Sequence, residues 1–248
     1  METIILNSME EPVRSSLPLV LALVCAAALV LVGPGSAHPA ATDACLEPGD
    51  TPVHMKTRDG VALYGLEVGT GTTGVVLGHQ YFSDHCEFMA FARELAGLGY
   101  RALSIDFRGN GLSGTGRSNR LDLDIGAAVA RLRADGATRV KLVGASMGGT
   151  AALVAGSWVR PAVNGIVSLS GPDYFRGMNA TKAVERSKVP VRFLVSRDDR
   201  PFASDATTLM RRAQAKDKAI VRYTAAGHGS SILSVPSAHA VVLAFLAR

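Results

Sequence analysis

The sequence predicts an α/β fold: a mostly parallel sheet of about eight strands with helices on both faces. Three observations support this. From residue 74 onward, apolar runs of about five residues alternate with amphipathic segments of helical periodicity. An antiparallel hairpin with Asp59-Gly60 at its turn precedes this alternation. Apolar residues make up 48% of the 248 residues, which allows a large buried core.

Each strand of this sheet is predicted from a short apolar run between turn-forming residues. The runs cover residues 53–57, 61–65, 74–78, 100–106, 140–143, 165–169, 191–195 and 219–223. Helical periodicity predicts helices over 87–98, 121–135, 147–159, 180–187, 203–215 and 238–246. A helix between successive strands is typical of crossovers in a parallel sheet. The sequence shows no internal repeat and no second domain, and only the short stretch 170–188 has room for a lid.

The first 37 residues do not belong to this pattern. Residues 17–32 are almost uninterrupted apolar sequence, shorter than the roughly 20 residues that span a bilayer. Gly35 and Ala37 follow in an arrangement typical of a cleavage site. We therefore expect a secretory signal peptide over 1–37, with an uncleaved membrane anchor as the alternative. Residues 38–51 are expected to be a linker to a domain of residues 52–248, in a secreted or extracytoplasmic protein.

Charge gives no indication of a nucleic-acid partner. The chain carries 26 basic and 21 acidic residues, a net charge of +5. Without residues 1–37, which hold one arginine and three glutamates, the balance is 25 to 18, or +7. These charges are scattered, and the few aromatic residues are not interleaved with Lys/Arg clusters. The pattern favours a solvated, mildly cationic surface.

Cysteine usage agrees with an exported protein. Cys25 falls within the expected signal peptide, which leaves Cys45 and Cys86 as an even pair in an oxidising compartment. We expect a disulfide between them, with two unpaired thiols as the alternative. Closing this loop would contribute on the order of 4 kcal/mol to stability.

The residues 144–149 (Gly-Ala-Ser-Met-Gly-Gly) carry the strongest indication of chemistry. They lie between the predicted strand 140–143 and the helix-like run that follows. A Gly-x-Ser-x-Gly between a strand and a helix is the nucleophile elbow, in which a strained turn exposes the serine at the carboxyl edge of the sheet. Ser146 is therefore the candidate nucleophile.

A serine nucleophile needs a base and a group that orients the base, and both are predicted on later loops. In an elbow-type hydrolase the order is serine, acid, histidine. Asp199 follows the strand 191–195 and is the expected acid, with Asp198 as the alternative. His228 stands between two glycines after the strand 219–223 and is the expected base.

Two backbone N–H groups should stabilise the oxyanion of the transition state. One is expected from Met147, which follows the nucleophile. The other is expected from the loop after the strand 74–78, with Gln80 favoured by position and Tyr81 as the alternative. His79 is interpreted as a residue that packs or orients this loop and not as a second base.

Several of these motifs resemble the α/β-hydrolase superfamily. The resemblance rests on Gly78-His79-Gln80, on the helix end 94–100, on residues 104–113 (SIDFRGNGLS), and on the elbow, acid and histidine in that order. Members often carry His-Gly where this chain has Gly-His. The likeness extends over residues 52–248, and the compact size without a cap resembles the dienelactone-hydrolase-like and small carboxylesterase members. It implies that Asp106 and Arg108 form a structural brace.

These features predict a serine hydrolase that cleaves a small-molecule carboxylic ester through an acyl-enzyme. No cofactor is expected. No metal site is expected either, because the six histidines lack ligand spacing, and residues 109–116 lack the ending of a phosphate-binding loop. The alternatives are a peptidase or amidase with the same triad and a catalytically silent binding protein of the same fold. Oligomeric state and substrate identity are left open.

Overall fold

The computed structural model describes residues 43–248. Within this range the strands are β1 (Thr51–Lys56), β2 (Ala62–Val68), β3 (Thr73–Gly78), β4 (Arg101–Ile105), β5 (Arg139–Ala145), β6 (Gly165–Leu169), β7 (Tyr174–Phe175), β8 (Met178–Asn179), β9 (Val191–Ser196) and β10 (Lys218–Tyr223). The α-helices are α1 (Met89–Gly97), α2 (Leu121–Ala134), α3 (Met147–Trp158), α4 (Ala180–Arg186), α5 (Phe202–Arg212) and α6 (Pro236–Leu246). Two 3₁₀ helices cover His85–Phe88 and Gly229–Ser234.

The expected signal peptide or anchor (1–37) and the first part of the expected linker lie outside the described residues. Within residues 43–248, no helix combines the length and the apolar composition that crossing a membrane requires.

Eight strands form one sheet in the spatial order β1-β2-β4-β3-β5-β6-β9-β10. The pairs β1–β2 and β2–β4 are antiparallel, and the other five pairs are parallel. The strand order changes direction at β3, which lies between β4 and β5 although it precedes both in the chain. Loops at the carboxyl ends of the strands beside such a switch point diverge and leave a crevice for a ligand. This arrangement confirms the fold class that the sequence predicts.

Register aligns the carboxyl ends of the central strands. Gly78 at the end of β3 pairs with Gly144 near the end of β5, and Ala145 pairs with Leu169 at the end of β6. Farther along the sheet, Tyr223 pairs with Ser196. The loops that follow β3, β5, β6, β9 and β10 therefore leave the sheet at one edge.

Apolar side chains bury both faces of the sheet, as near-continuous hydrophobic strands require. Helices α2 to α5 cover one face in a cluster that includes Val76, Leu142 and Phe193. Helices α1 and α6 cover the other face in a cluster that includes Leu77 and Val143. Successive residues of β3 and β5 thus point into opposite cores. Each large side chain buried in this way contributes about 1.5–3 kcal/mol.

Residues 43–50, expected to be part of a linker, are fastened to the domain. A disulfide joins Cys45 to Cys86, with the two Cα atoms 5.6 Å apart. Arg93 of α1 donates to the Cys45 carbonyl oxygen at 2.6 Å and to the Asp50 carboxylate at 2.7 Å. Asp43 contacts the buried His85 at 3.1 Å. Contacts with residues distant in the sequence therefore hold the segment 43–50 against the domain, although its composition predicts a linker.

His85 lies between two carboxylates. Its Nδ1 is 2.8 Å from Asp106 Oδ1, and its Nε2 is 3.1 Å from Asp43. Burial disfavours the charged ring, but the two carboxylates outweigh burial and raise the pKa of His85 above its ordinary value.

Two further segments depart from the sequence expectation. The stretch 170–188 holds a small antiparallel hairpin of β7 and β8 before α4, where the sequence predicted only room for a short lid. The helix expected over 87–98 is divided into a 3₁₀ turn over His85–Phe88 and helix α1. The Asp84 carboxylate accepts from the Cys86 N–H and caps the 3₁₀ turn.

Arg108, in the loop after β4, is the centre of a group of largely buried ion pairs. Its guanidinium donates to Asp124 at 2.7 Å and to Asp59 at 2.7 Å. The Arg108 and Asp124 side chains are 3% and 0% exposed, whereas Asp59 is 34% exposed. Burial raises the pKa of Asp124 to about 6 even though Arg108 opposes that rise. Asp106 instead accepts from the N–H groups of His85 and Leu112.

We predict that Asp124→Ala lowers the free energy of unfolding by roughly 3 kcal/mol, because it leaves a buried guanidinium with Asp59, which is partly exposed, as its one carboxylate partner. Asp59→Ala serves as the matched control and should lower it by about 1 kcal/mol. Urea denaturation followed by circular dichroism measures both values. Equal losses in the two variants would contradict the assignment of Asp124 as the principal partner.

Candidate active site

Ser146 stands on a strained turn between β5 and α3. Its backbone has φ 48° and ψ −115°, a left-handed conformation that a residue with a Cβ adopts only under constraint. The Ser146 N–H donates to the Leu169 carbonyl oxygen at 2.8 Å, which ties the turn to the end of β6. The residue is 8% exposed. The side chain therefore stands at the carboxyl edge of the sheet beside the N-terminus of a helix, as the elbow motif predicts.

Two glycines make this turn possible. A Cβ on Gly144 would lie 2.2 Å from the Gly148 carbonyl oxygen. A Cβ on Gly148 would lie 2.2 Å from the Gly78 carbonyl oxygen, at the end of β3. No side chain fits at either position, so the first turn of α3 can pack directly against β3 and β5.

Asp199 and His228 form a hydrogen-bonded pair. The His228 Nδ1 lies 2.9 Å from one Asp199 oxygen and 3.1 Å from the other. Because an ionised carboxylate only accepts, the Nδ1 carries the proton and the Nε2 is left as a base. Asp198, the alternative acid, accepts from the Ser196 hydroxyl and makes no contact of this kind with His228 among residues 43–248.

Two residues that the sequence did not single out support this pair. The Ser170 hydroxyl donates to Asp199 Oδ2 at 2.6 Å, and the Ser170 N–H donates to the Leu194 carbonyl oxygen. Ser170 immediately follows β6, so its position at a strand end was the available signal. Phe202 is the first residue of α5, and its ring packs on the His228 ring at a centroid distance of 4.3 Å. Nothing in the sequence distinguishes Phe202 from a core residue.

The loop of His228 and the elbow of Ser146 are in contact. Gly229 follows His228, and Ala145 precedes Ser146. A methyl group placed on Gly229 would lie 3.5 Å from the Cβ of Ala145. Within the described part of the chain, however, the structure has no hydrogen bond between the Ser146 hydroxyl and His228. The His228 side chain is 35% exposed. Hydrogen bonds of this kind are often long in the absence of substrate and shorten in the complex.

The backbone N–H of Gln80, the expected oxyanion donor, already has an acceptor. Its backbone N–H donates to the Glu87 carboxylate at 2.8 Å, so in this arrangement it has no donor to offer a substrate. The 3₁₀ turn over His85–Phe88 brings Glu87 back over the loop, a fold that local sequence did not predict. No acceptor for the Met147 N–H, or for that of Tyr81, is found among residues 43–248.

His79 fixes the orientation of the peptide between Gln80 and Tyr81. The buried His79 ring accepts from the Phe107 N–H at Nε2, 3.1 Å away, so its proton is on Nδ1. Nδ1 is 2.7 Å from the Gln80 carbonyl oxygen, to which it donates. Since C=O and N–H point in opposite directions across a trans peptide, the Tyr81 N–H points away from the His79 ring. Burial lowers the pKa of His79 and keeps the ring neutral.

Aromatic and cationic side chains lie on the loop after β3 and on the β7–β8 hairpin. Arg176, in the turn between β7 and β8, donates to the Tyr81 hydroxyl at 2.7 Å and stacks over the Tyr81 ring at 4.6 Å. Phe82 is 91% exposed beside Tyr81. The loop after β3 and the hairpin after β6 are thereby connected at the edge of the sheet where Ser146 stands.

The triad residues do not belong to a metal-binding group. Two clusters of potential ligands occur among residues 43–248: Asp43, Cys45, His85 and Cys86, and an overlapping set of Asp84, His85 and Asp106. Ser146, Asp199 and His228 are in neither cluster.

The sheet order, the elbow and the ordered loops define the α/β-hydrolase fold. A family model described as serine aminopeptidase, S33, matches residues 72–176. This is less than half of the chain; the match includes Ser146 but ends before Asp199 and His228. A search of curated proteins found no match.

Solved structures of this fold resemble the chain at low sequence identity. An esterase from Pyrococcus furiosus is 22% identical with a TM-score of 0.71, over 80% of this chain and 92% of that one. A dienelactone hydrolase from Anabaena variabilis is 24% identical with a TM-score of 0.64, over 79% and 94%. A monoacylglycerol lipase from Paleococcus ferrophilus is 18% identical with a TM-score of 0.64, over 75% and 98%. These comparisons confirm the fold that the sequence resemblance implied.

Proposed function

We propose that the protein is a serine hydrolase that cleaves a small-molecule carboxylic ester through an acyl-enzyme on Ser146. The observation that carries the proposal is the Asp199–His228 pair, at the sheet edge where Ser146 occupies the elbow. The fold, shared with esterases, a lipase and a dienelactone hydrolase, supports the same reaction class.

In the first half of the reaction, His228 Nε2 removes the Ser146 proton while Oγ attacks the ester carbonyl carbon. Asp199 holds the histidine tautomer and stabilises the imidazolium. The tetrahedral intermediate collapses by breaking the bond to the alcohol oxygen, which takes the proton from His228. The products of this half are the free alcohol and an ester on Ser146.

In the second half, water replaces the alcohol. His228 Nε2 accepts a proton from the water as its oxygen attacks the acyl carbon, and then returns the proton to Ser146 Oγ as that bond breaks. The Met147 N–H, at the N-terminus of α3, stabilises the negative oxygen in both halves. Because the Gln80 N–H already donates to the Glu87 carboxylate, we assign the second oxyanion donor to the Tyr81 N–H.

A peptidase or amidase reaction with the same residues is the competing enzymatic function, and the serine aminopeptidase family model favours it. A silent binding protein is the third candidate. A binding protein has no physical requirement for an acid–histidine pair beside an elbow serine.

The proposal extends to the compartment. An expected signal peptide or membrane anchor and a cysteine pair joined in the fold both suit a secreted or extracytoplasmic protein. If the segment 17–32 is retained, it would attach the protein to a membrane.

We predict that a fluorophosphonate probe labels the native protein on a single serine. Ser146→Ala should abolish labelling because no other hydroxyl lies at the elbow. Gel fluorescence and mass spectrometry of the labelled peptide measure this. Ser170→Ala leaves the elbow intact and should retain labelling at a reduced rate. Absence of labelling in the folded native chain would favour the binding protein.

A substrate panel separates the two enzyme functions. We expect measurable kcat/KM for p-nitrophenyl esters of short to medium chain length and none for aminoacyl and peptide amides. The ester activity should disappear in Ser146→Ala. A higher kcat/KM for an amide than for its matched ester would support the peptidase.

The neighbouring acids provide a matched pair for the third triad residue. We predict that Asp199→Asn lowers kcat by 10³- to 10⁴-fold, on the order seen when a triad acid no longer holds the histidine tautomer. Asp198→Asn should change kcat by less than about threefold, because Asp198 bonds to Ser196. Ester hydrolysis rates measure both. The reverse order would identify Asp198 as the acid.

Substitution of Glu87 tests the oxyanion donor. If Tyr81 donates, Glu87→Ala loosens the loop and should lower kcat by about tenfold with little change in KM. Glu87→Gln keeps an acceptor for the Gln80 N–H and should restore most of the rate. If Gln80 donates instead, Glu87→Ala releases that N–H and kcat rises, which would reject the assignment to Tyr81.

A further inference from the structure

Four side chains of the fastened N-terminal segment and the first 3₁₀ turn converge on one point. They are Asp43, Cys45, His85 and Cys86, called here the staple cluster. One ligand atom from each lies within 4.8 Å of the others. The carboxylate of Asp43 and the ring of His85 are 5% and 4% exposed, whereas Cys45 and Cys86 are partly buried.

Three of the six separations between these atoms are close to the edges of a zinc tetrahedron. His85 Nε2 is 3.1 Å from Asp43 Oδ1 and 3.7 Å from Cys86 Sγ. Cys45 Sγ is 3.4 Å from Asp43 Oδ1. Tetrahedral zinc with ordinary bond lengths places oxygen and nitrogen about 3.3 Å apart, and sulfur about 3.5 Å from either. The contact between the two sulfurs is the exception, because they are bonded to each other.

The residues around the cluster orient its ligands. Asp106 Oδ1 lies 2.8 Å from His85 Nδ1, which leaves Nε2 facing Asp43 and Cys86. The Tyr64 hydroxyl donates to Asp43 Oδ2 at 2.6 Å, which leaves Oδ1 facing the sulfurs. A carboxylate behind a histidine and a donor behind a carboxylate are the usual outer partners of zinc ligands.

We propose that the staple cluster binds one zinc ion when its disulfide is reduced, through Asp43 Oδ1, Cys45 Sγ, His85 Nε2 and Cys86 Sγ. A dithiol supplies the disulfide with two electrons and two protons and becomes a disulfide itself. A phosphine supplies two electrons and becomes the phosphine oxide, and water supplies that oxygen and the two thiol protons. Zinc then displaces the thiol protons. The sulfurs must separate to about 3.8 Å, a change that rotation about the two Cα–Cβ bonds supplies while the Cα atoms are 5.6 Å apart.

As a consequence, residues 43–50 stay attached to the 3₁₀ turn over His85–Phe88 in either redox state. In the oxidised chain a covalent bond fastens residues 43–50 to the 3₁₀ turn. In the reduced chain a Cys₂HisAsp zinc site does so, and its binding free energy adds to the stability of the folded chain.

Cobalt is the probe, since it takes the same tetrahedral site and absorbs visible light. The full-length protein is reduced with a phosphine, transferred to oxygen-free buffer and titrated with Co²⁺. We expect thiolate charge-transfer and tetrahedral d–d bands that saturate at one ion per chain and disappear when equimolar Zn²⁺ is added. The oxidised protein should bind at least roughly a hundred-fold more weakly. Equal binding by both forms, or no charge-transfer band in the reduced form, overturns the proposal.

Variants locate the ion. Cys25→Ser, which removes the third cysteine, should leave the spectrum unchanged. Cys45→Ser/Cys86→Ser should lose the charge-transfer band, and Asp43→Asn should weaken binding by tenfold or more. A band that is lost in Cys25→Ser or survives in the double variant places the ion elsewhere and rejects the site.

Thermal unfolding of the wild-type protein tests the proposal even where a variant does not fold. Zn²⁺ should raise the midpoint of the reduced wild-type protein by several degrees and leave that of the oxidised protein unchanged. Alkylation of the reduced thiols should abolish the rise. A reduced protein whose midpoint does not respond to Zn²⁺ contradicts the proposal independently of any substitution.

Discussion

The close approach of α3 to the ends of β3 and β5 is the constraint on which the site depends. The first turn of α3 lies so near Gly78 that Gly148 has no space for a Cβ, and Ser146 is held at positive φ as a result. This contact places the loop after β3, which carries the proposed oxyanion donor, beside Ser146. It also places the Met147 N–H at the start of a helix, where the backbone dipole favours negative charge.

Strand register transmits this constraint to the other two triad residues. Ala145 pairs with Leu169, and Ser170, which follows β6, donates to both the Leu194 carbonyl oxygen and the Asp199 carboxylate. The acid and the histidine then meet because β9 and β10 are parallel neighbours that end together. Three loops far apart in sequence converge because five strands end at one edge.

The sequence predicted what depends on periodicity and on motif order. The residues of β6 were predicted without error, and Asp199 and His228 were expected on the loops where they pair. Prediction from the sequence failed where contacts between distant residues determine the structure. Glu87 reaches back to the Gln80 N–H only because the 3₁₀ turn and the disulfide fix its position, and no local pattern encodes that contact. Similarly, the β7–β8 hairpin consists of two residues per strand, too short for an alternating pattern to be read.

The fastened N-terminal segment and the catalytic edge are linked through one short element. Cys86, in the staple cluster, and Glu87, which accepts from Gln80, are adjacent in the same 3₁₀ turn. Whatever holds Cys86 therefore also limits where Glu87 can place its carboxylate, and hence where the loop 79–82 lies. Asp106 strengthens this link because it accepts from both His85 and the Leu112 N–H. A displaced 3₁₀ turn would change the oxyanion loop before it disturbed the Asp199–His228 pair, which other strands hold. Loss of the staple cluster should consequently lower kcat while His228 keeps its contact with Asp199.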